Sequence, residues 1–184
     1  MQLDYDNPFW RFSLRLYRLP SIERACLHLQ DTTGASVNEL LFALWLAQQR
    51  FAFTQDWERA RQGVRAWQQK YTQSLRAQRR ELKRLALELP ESPVSSLYQL
   101  IQKAELLAEQ QEQALLYYCY QQEQGMQKVS QRHGALCTNL VTCFPAGQSI
   151  ARPSLEVLLG VTLEGPLVNE CANRILEAYA SENV

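Results

Sequence analysis

The sequence predicts an all-α fold, a compact bundle of six to eight helices packed around one buried central helix at about residues 37–49. Three observations carry that reading. Residues 40–47 are apolar on every side of a helical wheel, and a helix without a polar face must be enclosed by other elements. Elsewhere apolar residues recur at three- and four-residue spacing between proline, glycine and Asx punctuation. No period-two run is long enough to support a strand, which leaves helix on helix as the architecture.

Asp6 and Asn7 ahead of Pro8 mark a helix start, because Asx side chains accept from free N–H groups and a first-position proline has no N–H to leave unpaired. That helix buries Phe9, Phe12 or Ser13, Leu16 and Tyr17, turns Arg11, Arg15 and Arg18 outward, and is interrupted by Pro20. A second helix begins at about Ser21 with Ile22, Ala25, Cys26 and Leu29 on one face, and ends in the turn cluster at 31–34. Ser36 and Glu39 form a capping box for the central helix, each side chain reaching the other's backbone N–H. Residues 51–54 read as a connection, with Thr54 or Asp56 capping the next helix.

Across 57–89 only Gly63 weakens helix, by about 1 kcal/mol relative to alanine, so this stretch reads as two helices or one bent one. Its later half aligns Tyr71, Leu75, Leu82, Leu85 and Leu89, leaving Arg76, Arg79, Arg80, Lys83 and Arg84 as a cationic outer face. Pro90 and Pro93 then break the chain, since neither fits a helix interior. Ser92 caps and Pro93 opens the longest helix, to about Gln124. Its stripe through Leu97, Leu100 or Ile101, Ala104, Leu107 or Ala108, and Ala114 or Leu115 would pack on an earlier helix or join a homodimer through 93–124. The glutamines at 110, 111, 113, 121, 122 and 124 read as a solvated face. After Gly125 come a helix within 128–144 restarting after Gly134, a loop at 144–147, and helices over 153–159 and 166–180. Residues 1–125 thus form a core domain, with 126–184 as a helical extension docked on it.

Formal net charge is zero, but residues 57–84 carry nine basic against two acidic side chains and residues 85–184 five against eleven. A basic helix facing an acidic half of the same molecule accounts for that imbalance. Five scattered cysteines without a CxxC pair read as buried reduced thiols of a cytoplasmic protein. The acidic, aromatic start MQLDYDNPFW differs from a signal peptide, and the apolar run at 40–47 falls short of the roughly 20 residues that span a bilayer, so neither export nor membrane insertion is expected.

Glu105, Glu109 and Glu112 share a helix face, yet the Glu-x-x-His partner of a helical di-metal site is missing. Cys26 and His28, two residues apart, diverge by about 200° on a helix and make no thiol–imidazole pair. No nucleophile elbow, phosphate-cradling loop or HExxH motif is present, so the reading is non-enzymatic, with no cofactor or metal. The one feature above background is the cationic face. Arg76, Arg80 and Lys83 or Arg84, one turn apart, suit phosphates or carboxylates, and Trp57, Trp67 and Tyr71 could stack on bases, although a pI near 6.7 is low for a nucleic-acid binder.

The segments NPFWRFSLRLY at 7–17, ACLHLQDTTGASVNELLFALWLA at 25–47, LRAQRRELKR at 75–84 and AELLAEQQEQ at 104–113 together resemble an uncharacterised family of small bacterial proteins, mainly gammaproteobacterial. The resemblance spans about 7–115 and implies a cytosolic bacterial protein, with no activity to carry over. Site candidates within it are Asn7, Asp31, Asn38, Arg76, Arg79, Arg80, Lys83, Glu105 and Glu109. A buried network joining Arg79 or Arg80 to Glu105 or Glu109 would account for the charged ones, with Asn38 in a helix first turn. The functional reading is a protein–protein interaction or regulatory module. The alternatives are a nucleic-acid binder using residues 59–84, and a ligand binder or enzyme with a pocket between helices.

Overall fold

A computed structural model describes residues 2–181. Helix α1 (Pro8–Tyr17) starts where local chemistry demands, with the Trp10 N–H donating to Asn7 Oδ1 at 2.8 Å. Helix α2 (Pro20–Thr33) takes Pro20 as its first residue and continues through the expected turn cluster to Gly34, whose φ of 75° closes it. Helix α3 (Val37–Gln48) is capped by Ser36, whose Oγ accepts the Glu39 N–H at 3.4 Å. Only that half of the capping box forms, because the Glu39 carboxylate is bound instead by Arg61.

The connection after α3 is a strand, which corrects the sequence expectation. β1 (Phe51–Phe53) pairs antiparallel with β2 (Met126–Lys128), Phe53 standing opposite Met126. Three buried residues give no period-two signal, and the partner lies far along the chain. Helices α4 (Trp57–Ala60) and α5 (Gln62–Trp67) are separated at Arg61 rather than at Gly63. A π turn (Gln68–Thr72) leads into α6 (Gln73–Glu88), and α7 (Pro93–Gln121) follows its Ser92 cap. Helix α8 (Arg132–Val141) runs straight through Gly134, and α9 (Arg152–Leu159) and α10 (Pro166–Ser181) complete the order. Eight of these helices are seven residues or longer, so the all-α reading holds, with one small two-stranded ladder added. No helix among the described residues is long and apolar enough to cross a membrane.

The core is built on α3. Leu40, Phe42, Ala43, Leu44, Leu46 and Ala47 are fully buried, and α1, α2, α7, β1 and α8 contribute Phe9, Leu29, Leu116, Phe53 and Leu140 around them. Phe9 meets Phe42 edge-on at 5.0 Å, and the rings of Phe53 and Trp57 stack at 4.2 Å. Asn139 of α8 serves the free edge of β1: its Oδ1 accepts the Phe53 N–H at 2.8 Å and its Nδ2 donates to the Phe51 carbonyl at 3.0 Å. Elements on both sides of residue 125 therefore share one core.

The expectation of five reduced thiols is overturned for one pair. Cys137 of α8 and Cys171 of α10 form a disulfide, their Cα atoms 5.8 Å apart because α10 folds back along α8. The cysteine pattern thus ceases to argue for a reducing compartment. Cys26, Cys119 and Cys143 are free and buried, and burial pushes the Cys26 thiol up to about 12.

At Gly125 the turn into β2 has φ of 68°, and a Cβ there would stand 2.6 Å from the Trp57 Cα. Gly125→Ala is expected to destabilise the chain by about 2–4 kcal/mol in urea unfolding. Gly63→Ala, which meets nothing within 4 Å, is expected to stabilise it by about 0.5 kcal/mol.

Candidate functional site

Helices α6 and α7 form an antiparallel arm whose facing sides are held by charge. Arg76 Nε donates to Glu105 Oε1 at 3.1 Å and its Nη2 to Glu109 Oε1 at 2.6 Å, and Arg79 donates to the same Glu105. Both arginines, expected on a cationic outer face, thus turn inward, with side chains 16% and 26% exposed. Arg80 pairs with Asp31 and Arg84 with Glu88 in exposed contacts, where an ion pair contributes little. Lys83 is exposed and makes no ion pair among the described residues.

The inward stripe of α7 runs through Glu105, Ala108, Glu112, Leu116 and Cys119, about 100° round the helix from the stripe the sequence suggests. Glu105 and Glu112 are therefore buried and Glu109 half-buried. Of the stripe expected to be packed, Leu97, Leu100 and Leu107 face outward, while the alternatives Ala108 and Ala114 are buried. Gln113, expected on a solvated face, is buried too, and its Nε2 donates to Asn38 Oδ1 at 2.7 Å. Carboxylates hold the inner face because their partners stand there.

Glu112 is fully buried and has no cation against it among the described residues. Its carboxylate accepts from Thr72 Oγ1 at 3.1 Å, Gln68 Nε2 at 3.3 Å and Ser36 Oγ at 3.4 Å. Gln68 and Thr72 are the two ends of the π turn and, four residues apart, both reach the side facing α7. Burial pushes the Glu112 carboxyl up to about 7, with hydrogen bonds from Asn38 and Thr72 opposing the rise and the Glu109 and Glu39 charges adding to it. Burial raises Glu109 as well, against the nearby Arg76 charge.

Beside this cluster a half-open cleft of about 360 Å³ lies among α1, α2, α3, α6 and α7. Trp10, Leu14, Leu27 and Leu41 are among its walls, and Ser13, Asn38 and Gln113 bring polar groups to its lining. Arg18 and Arg80 line it as well. Of the residues singled out from sequence, Asn38, Arg76, Arg79, Arg80, Glu105 and Glu109 all line this cleft, while Asn7, Asp31, Lys83 and Arg84 do not. Asn7 caps α1. Glu105 and Glu109 converge on the Arg76 guanidinium rather than on an open coordination position, and no cluster of three metal-ligating side chains occurs among the described residues. His28 Nδ1 lies 2.8 Å from Ser154 Oγ while Cys26 is in the core, so these two do not face one another.

Sequence reasoning omitted Ser13, Gln113 and the Glu112 cage from the site. Ser13 carried a signal, being a hydroxyl on the apolar face of α1, and Glu112 lies two turns from Glu105. Gln68 and Thr72 carried only their four-residue spacing, which puts them on one face without saying what that face meets.

These features define a helical domain with a cleft of mixed apolar and charged lining at the root of a charge-latched two-helix arm. Residues 8–116 match the family described as protein of unknown function (DUF2390), and the chain belongs to that family. No curated protein and no solved structure matches it.

Because the folded Glu112 holds its proton to about pH 7 and the unfolded carboxyl loses it near 4.5, the folded state binds the extra proton between those values. Stability from this group is full below pH 4.5 and declines as pH rises to 7, by up to about 3 kcal/mol. Urea unfolding across that window should show this decline in the wild type and its loss in Glu112→Gln.

Proposed function

We propose that the chain is a non-enzymatic protein-interaction module whose contact surface is the outer side of the α6–α7 arm. The observation that supports this is the exposure of Leu87 at 75%, Leu100 at 61% and Leu107 at 66%, with Leu89 and Leu97 also exposed nearby. Leu97, Leu100 and Leu107 fall within about 80° of one another on α7 and make one ridge. Apolar side chains grouped on a projecting element, rather than scattered singly, are the mark of a protein contact. Such ridges bind by laying their leucines into an apolar groove of the partner, with the charged flanks setting orientation.

The nucleic-acid reading rests on the arginines of the same arm. Arg76 and Arg79 are occupied by Glu105 and Glu109, which leaves fewer outward charges than the sequence count implies. Counterion release needs free cations, so this arrangement favours the leucine ridge.

The test is mild crosslinking in cells followed by isolation of the tagged chain, comparing the wild type with a Leu97→Ser, Leu100→Ser, Leu107→Ser variant. The wild type is expected to form a discrete crosslinked complex that the variant loses, while the variant's melting temperature stays within a few degrees because all three positions are exposed. An identical complex from both chains, no complex from either, or a salt-sensitive complex with nucleic acid overturns the proposal.

A further inference from the structure

The cleft at the root of the arm has a chemistry that the leucine ridge does not use. Its walls, with Trp10, Leu14, Leu27 and Leu41, are apolar, and 360 Å³ lies within the range of small-molecule sites. Four arginines line it, Arg18, Arg76, Arg79 and Arg80, against two glutamates, Glu105 and Glu109, a surplus of two positive charges. Arg76 and Arg79 are bound by those glutamates, so the surplus resides on the other two. Arg18 makes no ion pair among the described residues, and Arg80 shares only an exposed contact with Asp31, the two side chains 57% and 62% exposed.

The lining adds a second, independent observation. Ser13 Oγ and Gln113 Oε1 are buried and have no hydrogen-bond partner among the described residues, and both residues line the cleft. Ser13 and Gln113 are each 3% exposed. A buried polar atom left unpaired costs on the order of 1–3 kcal/mol, and a ligand that pairs with one recovers part of that cost. Gln113 gives its amide N–H to Asn38, which leaves its oxygen as an acceptor in need of a donor.

We propose that this cleft binds a small organic acid with a ring-sized apolar body, an anionic group met by Arg18 and Arg80, and a hydroxyl or N–H donor directed to Gln113. The apolar body takes the Trp10 and leucine walls, the anion neutralises the surplus charge, and the donor pairs with the Gln113 oxygen. Each part of the ligand answers one feature of the site. The assignment is independent of the leucine ridge, which lies on the outer side of α7.

The probe is 8-anilinonaphthalene-1-sulfonate, which joins a fused ring, an N–H and an anion in one fluorescent molecule, titrated into the full chain. One saturable site is expected. Leu106→Trp, at a half-exposed wall position, should narrow the cleft and weaken binding at least tenfold. Arg18→Glu should weaken it at least fivefold, and Leu100→Ser with Leu107→Ser on the arm should leave it unchanged. Indole-3-acetate should displace the probe while tryptamine, with the same ring and a cation, should not. Circular dichroism and urea midpoints establish that the variants are folded. Absence of saturable binding, a signal that follows the arm leucines instead of Leu106 and Arg18, or equal displacement by tryptamine overturns the proposal.

Discussion

A helix with no polar face has to be covered on all sides, and α3 imposes that requirement on everything around it. Full burial of a leucine or phenylalanine contributes about 1.5–3 kcal/mol, and α3 supplies several such side chains in a row, so neighbours from distant parts of the chain converge on it. The cover comes from α1, α2, the later half of α7, β1 and α8. Helix α7 is long enough to reach beyond that core. Where it lies near α3 it offers Leu116 and Cys119, and where it outruns α3 it offers Glu105 to α6. The arm is therefore held by a different force from the body.

That change of force has a cost that the local structure offsets in two ways. Buried charges are tolerated only when paired and hydrogen-bonded, and Arg76 achieves this by dividing its guanidinium between two carboxylates. Glu112 has no arginine and relies on neutral donors, two of them delivered by the π turn. Gln68 and Thr72 stand four residues apart, a spacing that puts both on one side of the helix, where they face α7. Glu39, in the first turn of α3, is met instead by Arg61, which stands between α4 and α5 and also holds Glu58.

Helix starts were legible because their causes are local. Asn7, Ser36, Ser92 and the prolines at 8, 93, 153 and 166 act on backbone groups within three or four residues, and the structure uses each of them near its expected place. The apolar rod of α3 was equally plain, since enclosure follows from composition alone. The features that escaped depend on partners distant in sequence: the pairing of β1 with β2, the approach of Cys171 to Cys137, and the rotation of α7 that sends its leucines outward. Within the cleft, Asn38, Glu105, Glu109 and the arginines were visible as polar residues beside apolar ones. Ser13 was visible as a hydroxyl on an apolar face, but that its oxygen and the Gln113 oxygen go unpaired was not, because an unpaired oxygen is a property of surroundings rather than of spacing.

Asn139 and β2 lie beyond residue 116, where the family match ends, yet they close the rim of β1 and shield α3. Excised at that boundary, the shared segment would present the Phe53 amide, the Phe51 carbonyl and one flank of the central rod to water. Any relative reduced to the shared portion must therefore borrow a lid, from another part of its own chain or from a separate molecule. Evolution can vary the identity of that cover, but it cannot dispense with one.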